Sequence, residues 1–178
     1  QRIRDTPIIP STSTLRTTYV TMLTFIGYEI GDRSVTDEAV ALSDALASEG
    51  RSDQMAVPLQ KRLRLHLARS SENPDSVREA YEDLLPQRGT YPFSEGGPNN
   101  DLLLAQLAVA MNEPELAIDH CQQSLEFNQR AGFPVTETGT IALYAELLLK
   151  SGTRVETAKA VELLEHGVKV AEKFNLKH

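Results

Sequence analysis

Four histidines and one cysteine are the residues of this chain with the readiest chemistry: His66, His120, His166, His178 and Cys121. No two of the histidines form the His-x-x-x-His pair that lets one helix face hold zinc. Glu162 and His166 stand four apart and share a helix face, but two ligands fall short of the three or four that a protein metal site uses. A surface contact is the better reading, and no metal site is expected. His120 and Cys121 are adjacent, which would set a base beside a thiol. Neighbours on a helix point about 100° apart, however, so the two do not face each other. Cys121 falls on the bulky core position of a helical pattern and reads as a buried thiol. A lone cysteine also excludes an internal disulfide. With no nucleophile–base pair and no carboxylate dyad, no catalytic residue is assigned and no cofactor is expected.

Two other segments stand out chemically. Lys61, Arg62, Arg64 and Arg69 form the only basic cluster. On a helix these residues spread round the cylinder, so a solvated face is favoured over a phosphate or acidic-partner site. The segment from Gly89 to Asn100 packs two aromatics, three glycines and two prolines into one loop. Its Gly-Gly pair offers backbone N–H groups to an anion but lacks phosphate-loop spacing. A connection whose aromatics pack over helix ends is the preferred reading.

The elements that must position these residues are helical. The chain has 178 residues, 40% of them apolar and 24% charged, an ordinary globular mix. No apolar stretch approaches the roughly 18–20 residues of a membrane span, and Gln1 to Pro10 does not read as a signal peptide. The expected location is the cytoplasm. A net charge of −7 argues against direct nucleic-acid binding. Because it starts at Gln1 rather than Met, the chain is expected to be a segment of a longer protein. Residues 1–12 read as a tail and 13–178 as a single domain. Tyr19, Val20, Leu23, Ile26, Gly27 and Ile30 recur at helical spacing, and a second run follows from Thr36 to Gly50. Further pairs are expected at Pro58 to Ser71 with Asp75 to Leu85, Asn100 to Met111 with Pro114 to Arg130, and Thr136 to Lys150 with Val155 to Phe174. The alternation at Leu63 to Leu67 is overruled as a strand, because no second strand-like run exists to pair with it.

Four hairpins suggest an internal repeat. In the third, Leu104-Ala105, Ala108, Asn112-Glu113, Ala117, Cys121 and Ser124-Leu125 resemble a tetratricopeptide repeat. Small residues stand where two helices cross closely and large ones fill the groove beside them. In the fourth, Tyr144-Ala145, Leu148, Gly152, Ala160 and Gly167-Val168 take the same roles. The first departs from the pattern at Leu46, and the second keeps only Ala80 before Pro86 stops its helix. The expected fold class is therefore all-α, a right-handed superhelix of about four antiparallel hairpins. In such an array the A helices line a concave face where peptides lie. By this alignment Asn99, Leu102, Gln106 and Val109 point there.

A narrower resemblance rests on Tyr81 to Pro86, Ala117-Ile118-Asp119-His120, Leu125-Glu126-Phe127, Arg130-Ala131-Gly132, Tyr144 to Leu149, Ala160 to Leu164 and Ala171-Glu172. Together they resemble the C-terminal helical region of large bacterial signalling regulators, which join an ATPase module to a tetratricopeptide-like tail. The resemblance implies a non-catalytic interaction or regulatory module with a protein or peptide partner. The alternative is a sensor of a peptide or small effector. The last helix carries Val168, Val170, Ala171, Phe174 and Leu176 on its apolar side, with Lys169, Glu172, Lys173 and Lys177 opposite. Phe174 and Leu176 are the expected association surface, for a homodimer or another partner.

Overall fold

A computed structural model describes residues 19–20, 22–23, 26–27, 30, 32–48, 73–91 and 99–176. The tail at 1–12, the segment 58–71 with its basic cluster and His66, the loop centre at 92–98, and Lys177 and His178 lie outside the described residues. The chain divides into two compact units, Gln1–Ser70 and Ser71–His178.

In the first unit, Tyr19, Val20, Met22, Leu23, Ile26 and Gly27 are helical, and helix α1 spans Arg33–Ser48. This helix begins three residues before Thr36 because Asp32 caps it: the Ser34 N–H donates to Asp32 Oδ1 at 2.9 Å. Val20 and Ala39 are buried together, with Leu23 and Leu42 packed against them. Gly27 sits at the crossing. A Cβ there would come within 2.7 Å of Thr36 Oγ1, so only glycine allows the approach.

The second unit opens with α2, Pro74–Leu84, where Asn73 accepts the Asp75 N–H and Pro74 occupies the first turn. The helix tightens into a 3-10 turn, Leu85–Gln87, around Pro86. Four helices follow: α3 Asn100–Ala110, α4 Pro114–Ala131, α5 Pro134–Ser151 and α6 Arg154–Lys173. Helix α5 begins two residues before Thr136, since Pro134 needs no N–H partner in a first turn. Gly132 and Gly152 end α4 and α5 at φ 72° and 71°, a left-handed conformation that glycine takes without steric cost.

Side-chain partners show how these helices run. Between α4 and α5, Gln122 meets Tyr144, Ser124 meets Thr140 and Gln129 meets Glu137. Between α5 and α6, Glu137 meets His166 and Tyr144 meets Lys159. Numbers rise on one helix as they fall on the next, so consecutive helices are antiparallel. Packing is sequential: α2 on α3, α3 on α4, α4 on α5 and α5 on α6. Leu103, Leu104, Ala105, Leu107 and Ala108 make α3 buried on nearly every side. Ala117, Ala145 and Ala160 are buried at the crossings, and a Cβ on Gly167 would lie 3.1 Å from Ile141 Cγ2. The described residues contain six α-helices and no strand, an all-α protein.

Candidate functional site

The most reactive-looking constellation joins three helices. His120 on α4 is buried, with its Nε2 2.8 Å from the Tyr81 hydroxyl of α2. Its Nδ1 lies 3.5 Å from Asp101 Oδ1 of α3. The other Asp101 oxygen accepts the Gly89 N–H at 2.6 Å. A carboxylate only accepts, so Nδ1 faces it with a proton and Nε2 is left to accept from the Tyr81 O–H. At 3.5 Å the Asp101 approach is electrostatic, and neither facing atom makes another hydrogen bond.

In order, the carboxylate, imidazole and hydroxyl copy the layout of a nucleophile triad. Its chemistry points the other way. Burial pushes the Tyr81 phenol up, with Asp119 adding to the rise and Arg88 opposing it. The phenol is only 8% exposed and keeps its proton. The set ties α2 and the turn at Gly89 to the α3–α4 hairpin. Sequence spacing did not reveal it, because each member comes from a different helix.

Cys121 is 0% exposed, and burial pushes its thiol up to about 12. It is therefore neither ionised nor reachable. His120 turns away from it toward Tyr81 and Asp101. His166 turns across to Glu137 of α5 at 2.8 Å, with Gln129 of α4 donating to the same oxygen at 3.3 Å. It thus clips three helices together and does not work along its own helix with Glu162. Among the described residues, no group of three or more His, Cys, Asp or Glu could hold a metal ion.

The four residues assigned to a concave face have different fates. Asn99 is wholly buried as the cap of α3, accepting the Leu102 N–H at 2.8 Å. Its Nδ2 donates to Asn128 Oδ1 at 3.0 Å and to the Ser124 carbonyl. Asn128 in turn donates to Thr140 and accepts from Thr136. Asn99 is therefore used within the fold, at the head of a polar network crossing α3, α4 and α5. Leu102 is buried as well. Gln106 is half-buried, with an Oε1 that has no hydrogen-bond partner, and Val109 is exposed. The linking loop is anchored at both described ends. Asn100 donates to Gln87 and Thr90, and Tyr91 packs against Phe127 and Phe133 with ring centroids 6.4 and 4.9 Å apart.

Helix α6 is where apolar surface stays open. Its inner side buries Ala160, Gly167 and Val170. Val168 does not share that side with Val170, because positions two apart on a helix differ by about 200°. It belongs to a separate row, Val161, Leu164 and Val168, which are 48%, 42% and 57% exposed. Phe174 is exposed past the helix end and Leu176 is half-buried. With Ala160 matched to Ala117, the row corresponds to Ile118, Cys121 and Leu125 of α4. On α4, which packs against both α3 and α5, Cys121 is fully buried and its two neighbours are half-buried. Comparison with protein-family models, curated proteins and solved structures finds no match to this chain. Among the described residues, no helix is long and apolar enough to cross a membrane.

Proposed function

We propose that this chain is a non-catalytic protein-interaction module, a tetratricopeptide-like array of helical hairpins. Its context would be a larger bacterial signalling or transcriptional regulator in the cytoplasm. One observation supports this reading above the others: the row Val161, Leu164 and Val168 lies open on α6, whereas Cys121 is buried and Ile118 and Leu125 are half-buried at the matching positions of α4. The polar groups with the readiest chemistry are used in holding helices together. Tyr81, His120 and Asp101 tie α2 to α3 and α4, and Glu137 with His166 ties α5 to α6. An apolar row rimmed by charge is what a helix or peptide partner docks on. A photo-crosslinking residue placed at Val168 in cells tests it. The expected result is a discrete adduct at Val168 and none from the same residue at Glu115, an exposed position on α4. Equal yields at the two positions, or no adduct at either, would remove the reading.

A further inference from the structure

The charges beside the open row say what partner fits it. Arg154, Glu162, Glu165, Lys169 and Glu172 are all exposed on α6 and flank the row on one side. Read along the helix, their signs run plus, minus, minus, plus, minus. Reversing the helix turns that order into minus, plus, minus, minus, plus. Laid against its own reverse, the pattern sets opposite charges together at its ends and at two inner positions. Only the central Glu165 meets its like. A parallel two-fold pair would put these flanks on opposite sides of the interface, so the charges would not meet.

We infer that the open row of α6 docks on a second copy of this chain, with the two α6 helices antiparallel about a two-fold axis near Leu164 and Glu165. This rests on the interaction-module reading above and names its partner. The register follows from the apolar residues. With Val161 facing the partner's Val168, the Leu164 side chains from the two copies meet at the axis. The rise of about 1.5 Å per residue then leaves Glu162 two positions from the partner's Lys169 and Arg154 three from the partner's Glu172, both within one helical turn. Two-fold symmetry makes each pair twice. Four opposite-sign approaches therefore stand against one Glu165 approach to its own copy, which gives the antiparallel order its specificity. The row is covered by this second α6.

Sedimentation of the full chain over a range of concentrations tests the pairing. The wild-type chain is expected to pass from monomer to dimer. Leu164→Asp is expected to stay monomeric with unchanged helix content, since Leu164 is open in the folded chain. Lys169→Glu turns two attractions into repulsions and should weaken the dimer about ten-fold, the effect of roughly 1.4 kcal/mol. Adding Glu162→Lys to that variant should restore the wild-type constant, and Glu165→Gln alone should tighten it. A wild-type monomer at high concentration would overturn the inference, as would a double variant no better than Lys169→Glu. Dye binding separates the two readings. A monomer that binds an apolar fluorescent dye, and loses it on Leu164→Asp, overturns the self-pairing but leaves α6 as a docking face for another partner. A monomer that binds no dye loses both.

Discussion

Ala160 and Cys121 show what single positions in this array are for. Ala160 is completely buried where α6 crosses α5, and no larger side chain fits without moving a helix. Ala160→Leu should cost on the order of 1–3 kcal/mol through overpacking, and Ala117→Leu should behave alike. Denaturant melts of the two variants measure this, and wild-type midpoints would show that the helix register is wrong. Cys121 gives a second prediction. A thiol pushed up to about 12 stays protonated through neutral pH and is shielded besides. Labelling by a thiol reagent should be slow in the native state and rapid once the chain is unfolded. Fast native labelling would place the thiol at the surface. Both positions are legible in the sequence because the apolar residues around them recur at helical spacing. The Tyr81–His120–Asp101 set is not, because its members lie about twenty residues apart on three helices and only packing unites them.

Helix ends were legible to the extent that their chemistry is local. Pro114, Gly132 and Gly152 mark boundaries by backbone rules alone. The starts of α1 and α5 fall ahead of Thr36 and Thr136, at Arg33 and Pro134, because a cap and a first-turn proline set them and not the apolar period. Asn99 is buried as a cap, and sequence does not separate that use of the side chain from one in an open peptide groove. The start of α6 makes a pH prediction. Thr153 Oγ1 caps the helix by accepting the Glu156 N–H at 3.2 Å, and the Glu156 carboxylate accepts from the Thr153 hydroxyl at 2.6 Å. Hydrogen bonds from Ser151 and then Thr153 hold the Glu156 carboxyl below its usual range. A depressed folded pKa means the stabilisation is complete above the ordinary carboxylate range. It is lost as pH falls through the depressed value. Glu156→Gln should therefore melt below wild type at neutral pH, with the gap closing in acid. A gap that persists unchanged in acid would show that ionisation of Glu156 contributes nothing.

At the scale of the molecule, the division into Gln1–Ser70 and Ser71–His178 sets a test of where stability resides. The second unit carries its own closed set of interactions. Leu103, Leu104 and Leu107 form a buried centre, the Asn99–Asn128–Thr140 network crosses three helices, and the Glu137–His166 contact secures the last pair. Each of these contacts has both partners inside Ser71–His178. Breaking one from within should be costly. Asn128→Ala leaves one of the two Asn99 amide N–H groups without its buried acceptor, at about 1–3 kcal/mol. Removing residues 1–70 breaks none of them. A fragment beginning at Ser71 is therefore expected to be helical by circular dichroism and to unfold in one cooperative transition. Its hairpins stack neighbour on neighbour, so Asn128→Ala should lower that transition as a whole, without splitting it. A fragment that is helical yet melts without cooperativity would show that the first unit supplies part of this core.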